Sequence, residues 1–198
     1  MDGHFYALLA RMRYIQRWAL MRNTEPENIQ EHSHMVAILA HALALLQNKH
    51  FGGHIDPGQA VLLALYHDAT EILTGDLPTP IKYYNPALRA SYKEVEETAA
   101  NRLLELLPEE LRGDSAPYLL HPDPELEAVV KAADKLDAYL KCVKERKAGN
   151  GEFQTAQVQI WDALQANPLP ALGYFIQHYL PSFELTLDQL NGSTHTMF

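Results

Sequence analysis

Apolar residues recur at helical spacing along most of the chain, and no segment shows a convincing strand-like alternation. Between Glu31 and Gln47 they return every three or four residues, which predicts an amphipathic helix. A later stretch, Ala60 to Tyr66, is apolar on every side and should lie in a buried helix. The hydrophobic pattern therefore predicts an all-α fold.

Three helix starts are marked by a polar N-cap residue followed by proline. They are Asp56-Pro57, Asn85-Pro86 and Asp123-Pro124, and they predict helices over about 57–73, 86–107 and 124–148. Shorter helices are predicted over 3–16, 152–166 and 169–180. The prolines of Thr74–Pro80 remove backbone donors and favour extended geometry, so this segment is predicted to be a rigid loop that cannot be helix.

Length and charge narrow the possible functions. A chain of 198 residues is most simply one domain, predicted to span residues 1–190, with a disordered tail over 191–198. The net charge of −9 argues against a nucleic-acid polymer as the partner and favours a small substrate.

Cysteine content and hydropathy indicate where the protein works. The single cysteine, Cys142, cannot form an intrachain disulfide, and the first residues lack the pattern of a secretory signal. No apolar run approaches the ~20 residues that a membrane span needs. We therefore expect a cytoplasmic protein with no membrane partner.

The most informative chemistry is the doublet His67-Asp68 at the end of the apolar stretch. An imidazole nitrogen and a carboxylate oxygen can share one divalent cation, and burying both without a cation would be costly. Further candidate ligands are His32 and Asp134. Because this set contains no thiolate, it suits Mn, Co, Fe, Mg or Zn, and the sequence does not choose among them. His34 lies on roughly the opposite side of its helix from His32 and is not expected to be a ligand.

One helix alone would supply an incomplete set of ligands. In a continuous helix His67 and Glu71 share a face, whereas Asp68 lies about 100° away. His32 must then come from the preceding helix and Asp134 from a later one, as helical bundles allow.

The order of these motifs resembles the HD-domain phosphohydrolase superfamily, in which His, His-Asp and Asp follow one another along the chain. Further motifs make the chain similar, over nearly its whole length, to the bacterial 5′-deoxynucleotidase subfamily. They are Arg17-Trp18, Glu31-His32-Ser33, His67-Asp68-Ala69-Thr70-Glu71, Thr74-Gly75-Asp76-Leu77-Pro78-Thr79-Pro80 and Ala138-Tyr139-Leu140-Lys141-Cys142. The resemblance implies a single-domain helical bundle, a homodimer, and metal-dependent removal of phosphate from deoxyribonucleoside 5′-monophosphates.

The resemblance also assigns roles to residues. One divalent cation is held by His32, His67, Asp68 and Asp134. Catalytic roles fall to Glu71 and Arg17. The expected substrate contacts are Arg17, Trp18, His32, Asp68, Asp76, Leu77, Pro78, Thr79 and Asp134.

These roles agree with the chemistry of the side chains. Glu71 can orient or deprotonate a water, and the Arg17 guanidinium matches the geometry of a phosphate. A flat Trp18 ring packed against the sugar would leave a 2′-hydroxyl clashing or without a partner, which would disfavour ribonucleotides.

Simpler interpretations stay open for several of these residues. His67-Asp68 could be an ordinary hydrogen-bonded pair, Arg17-Trp18 a solvated arginine beside a core tryptophan, and Asp76 a residue that stabilises a turn. Asp137 either supports the metal ligands or is an exposed partner of Lys141. Lys141 itself begins a run of basic residues that is expected on a solvated helix face.

Two alternatives to the deoxynucleotidase function also stay open. One is another HD-domain phosphohydrolase, acting on a phosphodiester, a nucleoside triphosphate or a guanosine polyphosphate. The other is a non-catalytic, metal-binding regulator, which Glu71 disfavours because a sensor needs no catalytic carboxylate.

Overall fold

The fold is known from a computed structural model, which describes residues 3–82 and 84–192, without the side chains of Thr79 and Pro80. Eleven α-helices are present in these ranges. They are α1 His4–Leu9, α2 Ile29–His50, α3 Pro57–Tyr66, α4 Glu71–Thr74, α5 Thr79–Lys82, α6 Pro86–Glu105, α7 Glu109–Leu119, α8 Pro124–Lys147, α9 Gln154–Gln165, α10 Pro170–His178 and α11 Leu187–Leu190. Short 3-10 helices cover Ala10–Tyr14, Gly151–Phe153 and Leu180–Glu184. The all-α fold is therefore confirmed over the described part of the chain.

The proline-marked helix starts are confirmed. Asp56 accepts hydrogen bonds from the backbone of Gly58 and Gln59, and Asp123 caps α8 in the same way. Asn85 accepts one from Leu88 at 2.8 Å. Each side-chain oxygen thereby satisfies a backbone donor that the first helical turn leaves unpaired.

The core lies around α2, which packs against α3, α8 and α10. Val36 and Leu43 of α2 and Leu136 and Leu140 of α8 are almost completely buried there. A smaller cluster on the other side joins Phe5 of α1 to α6 and to Ala69. The end of α3 belongs to the large cluster through Ala64, and the turn that follows belongs to the small cluster through Ala69. None of the described helices is long and apolar enough to cross a membrane.

The single helix predicted over 57–73 is wrong. α3 ends at Tyr66, a turn covers 67–70, and α4 begins at Glu71. The His67 imidazole binds the Ala64 carbonyl oxygen at 2.7 Å, the acceptor that the Asp68 amide would use in a continuous helix. The chain then tightens, and Ala69 donates to the Tyr66 carbonyl at 2.9 Å.

The rigid loop predicted over Thr74–Pro80 is wrong at both ends. Thr74 closes α4, and Thr79 and Pro80 begin α5. Proline is tolerated in the first turn of a helix because its missing donor would be unpaired there anyway. The helices α7 and α11 were not predicted, and residues 193–198 of the predicted tail lie outside the described residues.

Candidate metal centre and active site

The turn after α3 carries His67 and Asp68 to the first turn of α2, where His32 lies. One ligand atom from each of the three residues lies within 4.8 Å of the other two. The His67 Nε2 atom is 3.3 Å from Asp68 Oδ2, and His32 Nε2 is 3.6 Å from the same oxygen. Asp134 of α8 completes the group, with Oδ1 3.1 Å from His32 Nε2. All four predicted ligands are therefore brought together.

Both imidazoles present a free nitrogen to this centre. The Nε2 atoms of His32 and His67 are buried and have no hydrogen-bond partner among the described residues, although carboxylate oxygens are close. The Nδ1 atom of His67 donates to the Ala64 carbonyl, which leaves the lone pair on Nε2. Two such nitrogens beside two carboxylates fit a divalent cation.

Asp137 orients His32. Its carboxylate is 2 % exposed, and Oδ2 accepts a hydrogen bond from His32 Nδ1 at 2.6 Å. This bond fixes the ring so that Nε2 faces the other ligands. Of the two interpretations of Asp137, the exposed pairing with Lys141 is wrong, because the Lys141 amine donates elsewhere. Although burial and Arg17 lower the pKa of His32, hydrogen bonding to Asp134 and Asp137 raises it to about 9. A cation bound at Nε2 would displace the proton that this nitrogen otherwise carries at neutral pH.

Arg17 reaches the centre from the loop that precedes α2. Its guanidinium pairs with Glu27, and it lies 4.0 Å from Asp134 and 3.9 Å from Asp137. Burial lowers the pKa of Arg17, but the carboxylates of Glu27 and Asp134 outweigh it and raise that pKa. The arginine is therefore not solvated but held as a fixed, permanently charged group beside the candidate ligands.

Trp18 has an unusual backbone. Its φ is 58°, in the left-handed region, and it is the only described residue other than glycine with a positive φ. Such a conformation costs about 1–3 kcal/mol and persists only where surrounding contacts enforce it. The Trp18 ring lies 5.3 Å from the ring of Phe153, and its Nε1 donor is buried without a partner among the described residues.

Glu71 begins α4 and is 5 % exposed. Its Oε1 atom accepts a hydrogen bond from Lys82 of α5 at 3.2 Å, and its Oε2 atom is buried without a described partner. Burial and the neighbouring Asp68 raise the pKa of Glu71 to about 8, although Lys82 lowers it. The free oxygen can therefore take a proton once the group is ionised.

A cavity of about 500 Å³ opens beside the ligands. His67, Thr70 and Asp134 form part of its wall. Neither Trp18 nor Asp76, of the described residues, belongs to this wall. The nucleotide contacts expected from Trp18 and from the segment after α4 would thus come from outside this opening.

The expected substrate segment follows α4. Asp76 lies close enough to Glu71 for its charge to raise the pKa of that carboxyl. Asp76, Leu77 and Pro78 are partly buried between α4 and α5. The side chain of Thr79 lies outside the described part of the chain.

Two features of the site were not predicted: Glu27, and Lys82 as the partner of Glu71. The support that Asp137 gives to a metal ligand was one of its two interpretations from the sequence. Glu27 lies in a loop and Lys82 in a short helix, and such segments have too few turns for an apolar repeat to show which side chains face the protein interior. Asp137 did carry a signal, since it lies one helical turn after Asp134 on α8.

Comparisons with known proteins agree with this geometry. A family model described as YfbR-like 5′-deoxynucleotidase matches residues 4–183. A 5′-deoxynucleotidase of Vibrio parahaemolyticus is 52% identical over 192 residues, which are 96% of this chain and 99% of that protein. A 5′-deoxynucleotidase of Shewanella oneidensis is 50% identical over 191 residues, covering 96% of this chain and 98% of that one.

Solved structures show the same fold in more distant proteins. An HD-domain phosphohydrolase of Listeria innocua superposes with a TM-score of 0.79 at 21% identity, covering 91% of this chain and 88% of that one. The HD phosphohydrolase DatZ of cyanophage S-2L, bound to dA and one catalytic Zn²⁺ ion, superposes with a TM-score of 0.64 at 21% identity. The match covers 94% of this chain and 100% of that one. With the family model and the close relatives in agreement over nearly the whole chain, the protein belongs to the YfbR-like 5′-deoxynucleotidase family.

Proposed function

We propose that this protein hydrolyses deoxyribonucleoside 5′-monophosphates to deoxyribonucleosides and phosphate with the help of one divalent cation. The observation that carries the proposal is the pair of buried Nε2 atoms of His32 and His67, which have no hydrogen-bond partner in the described ranges and lie beside two carboxylates. The names of the close relatives supply the substrate class. The DatZ structure, with its catalytic Zn²⁺ ion, supports a metal-dependent reaction.

The cation would be held by His32, His67, Asp68 and Asp134. When bound, a divalent cation supplies Lewis acidity toward a phosphate oxygen and toward a water molecule. The identity of the metal follows from none of these side chains, because a mixed nitrogen and oxygen set accepts Mn, Co, Fe, Mg or Zn.

Glu71 would act as the general base. Its Oε1 atom accepts a hydrogen bond from Lys82, while its Oε2 atom, without a partner in the part of the chain that the structure describes, is available to a water. In hydrolysis the oxygen of this water attacks phosphorus, the bond from phosphorus to the 5′-oxygen breaks, and Oε2 receives a proton from the water. The departing 5′-oxygen takes up a proton, from Glu71 or from solvent, and becomes the 5′-hydroxyl of the deoxyribonucleoside. Lys82 favours the ionised carboxylate that this step needs.

Arg17 would hold the phosphate. Glu27 engages the NH1 atom, while the NH2 atom lies 4.0 Å from Asp134 on the side of the ligands. A planar cation there binds phosphate oxygens and stabilises the charge that grows on them during the attack. Trp18, next in the chain, would exclude a 2′-hydroxyl, and Asp76 to Thr79 would hold the nucleotide.

The rival phosphohydrolase functions have less support. Polyphosphate substrates need further cations close to the metal. Arg17 carries the ion pairs with Asp134 and Asp137, and the Lys82 amine is already paired with Glu71. The two lysines of the cavity wall, Lys93 and Lys131, lie beside the wall carboxylates Glu96 and Glu127, which offset their charge. A non-catalytic regulator has no use for the buried, unpartnered Oε2 of Glu71.

We also propose a cytoplasmic location and a homodimeric assembly. Cys142 is buried, and burial raises the pKa of its thiol to about 12, so the thiol stays protonated and unreactive. The proposal of a homodimer is based on the resemblance to the subfamily. Light scattering should give a mass of twice the 22.4 kDa of one chain. A monomeric mass at micromolar concentration would contradict the homodimer.

The test is phosphate release from matched deoxyribo- and ribonucleoside 5′-monophosphates, after chelator treatment and readdition of each divalent cation. Activity should require a cation and should favour the deoxy substrates. His67→Ala should lose both bound metal and turnover, whereas His34→Ala, two residues from His32 but exposed, should keep both. Full activity of metal-free His67→Ala protein would refute the proposal.

A further inference from the structure

Residues 17–27 form a loop whose ends meet in front of α2. An antiparallel bridge joins Gln16 to Asn28, and the Arg17 amide donates to the Glu27 carbonyl at 2.9 Å. The loop therefore leaves and returns at one point and carries Arg17 and Trp18 on its first two residues. The pairing at the two ends of the loop does not fix its middle, residues 22–25.

The far end is held by one buried carboxylate, Glu145 of α8. Glu145 is 1 % exposed and accepts hydrogen bonds from the Thr24 amide at 2.9 Å and from the Thr24 hydroxyl. Asn150, just beyond α8, donates to Glu145 at 2.8 Å and to the Arg22 carbonyl at 2.7 Å. Two side chains thus hold the backbone of the loop at two separate points.

Lys141 completes this group, one helical turn before Glu145. It is 3 % exposed, so the predicted solvated position of this lysine is wrong. Its amine donates to the Glu25 carbonyl and to Glu145 at 2.5 Å each. Burial opposes ionisation of Glu145, but hydrogen bonds from Lys141, Thr24 and Asn150 hold its pKa below the ordinary range.

The same group also reaches Trp18. Phe153, which contacts the Trp18 ring, follows Asn150 in the 3-10 helix after α8, and the Lys141 amine lies 5.5 Å from the centre of the Phe153 ring. A strained left-handed backbone such as that of Trp18 needs contacts that enforce it. Within the loop the Trp18 carbonyl accepts hydrogen bonds from the Met21 amide at 2.9 Å and from the Asn23 side chain at 3.2 Å. The buried group holds the residues that follow directly, Arg22, Thr24 and Glu25.

We propose that Lys141, Glu145 and Asn150 form a positioning cluster that sets Arg17 and Trp18 for substrate binding. The three residues touch the loop and none of the four candidate metal ligands in the hydrogen bonds above. Their effect would pass through the loop, to phosphate binding and sugar selection, without changing the affinity for metal. The proposal rests on the proposed substrate roles of Arg17 and Trp18.

Two variants of different severity test the cluster. Glu145→Gln removes the buried charge at constant size and should raise KM for a deoxyribonucleoside monophosphate roughly tenfold or more, since charge-assisted bonds are lost. Thr24→Val removes one hydroxyl donor at an exposed residue, which the fold should tolerate, and should raise KM roughly twofold to tenfold. Both should keep stoichiometric metal and should lower the ratio of deoxy to ribo kcat/KM.

The matched control is Glu184→Gln. It removes the same charge from an exposed ion pair with Arg146, the residue next to Glu145 on α8, and should leave KM and selectivity unchanged. The decisive measurement is a double-mutant cycle. In an Arg17→Ala, Trp18→Ala background, Glu145→Gln should have no further effect on KM or on sugar selectivity.

Three outcomes would overturn the positioning cluster. The first is an unchanged KM in both Glu145→Gln and Thr24→Val, and the second is an undiminished effect of Glu145→Gln on KM in the Arg17→Ala, Trp18→Ala background. The third is loss of bound metal in place of a change in KM. Failure of the proposed function gives a different result. In that case Arg17→Ala and Trp18→Ala would themselves leave deoxynucleotide turnover and selectivity at the level of the unaltered protein.

Discussion

The hydrogen bond from His32 to Asp137 should control metal affinity. Replacing Asp137 by asparagine keeps its size and one acceptor oxygen but removes the charge. The bond is 2.6 Å long and fully buried, with the imidazole 1 % exposed. It therefore belongs to the class of charge-assisted hydrogen bonds, which contribute about 1.5–3 kcal/mol.

The size of the effect follows from this class. A neutral acceptor gives a bond about half as strong, so Asp137→Asn should lose about 0.75–1.5 kcal/mol of support for His32. One factor of ten corresponds to about 1.4 kcal/mol, so the metal dissociation constant should rise roughly threefold to tenfold. Asp137→Ala removes the bond entirely. The metal dissociation constant of this variant should rise by close to a hundredfold, the upper end of the range of about 10–100 that is usual for such supporting residues.

The assay is competition between the protein and a chromogenic chelator, with Tm measured in the presence and absence of the metal. Asp162→Asn on α9, an exposed carboxylate, is the matched control and should leave both quantities unchanged. If the metal dissociation constants of Asp137→Asn and Asp137→Ala stay within about twofold of the unaltered protein, the hydrogen bond has no part in metal binding and the reasoning fails.

Three further predictions concern the reaction itself. Glu71→Gln should lower kcat by a factor on the order of 10²–10⁴ while metal content stays stoichiometric, and loss of the metal would make Glu71 a ligand instead. Because Lys82 lowers the pKa of Glu71, Lys82→Met should raise that pKa and move the acid limb of the kcat–pH profile to higher pH. The exposed control Lys49→Met should leave this limb in place. An acid limb that also stays in place in Lys82→Met would show that Lys82 does not set the pKa of Glu71. Exclusion of a hydroxyl by an apolar ring gives a ratio of kcat/KM for deoxyadenosine over adenosine monophosphate on the order of 10². Trp18→Ala should lower this ratio, whereas Arg17→Ala should lower kcat/KM for both substrates alike. An unchanged ratio in Trp18→Ala would move sugar selection to another residue.

The helix starts were predictable because they are local. An N-cap side chain binds the backbone two or three residues ahead, so Asp56, Asn85 and Asp123 carry the information themselves. The long α2 and α8 were predictable for a related reason, since an apolar face repeats over several turns. The predicted ligands are brought together by this framework.

Which supporting residue pairs with which could not be predicted, because these pairs depend on contacts between distant segments. Glu145 binds Thr24 across 121 positions of sequence, and His32 binds Asp137 across 105. Lys141 illustrates the limit most clearly. A lysine in a basic run favours solvent by composition, but a carboxylate four residues later and a loop carbonyl from far away bury it.

The wrong prediction of a continuous helix over 57–73 bears directly on function. In such a helix the side chains of His67 and Asp68 would diverge by about 100°, and only one of them could face His32. The turn that begins at His67 removes this conflict, and Asp68 Oδ2 lies within 3.6 Å of both imidazole Nε2 atoms. The same imidazole that presents a ligand nitrogen also takes the Ala64 carbonyl that the helix would need to continue. His67 therefore has two linked roles: it ends the helix through Nδ1, and by ending it there it lets two consecutive residues face one cation.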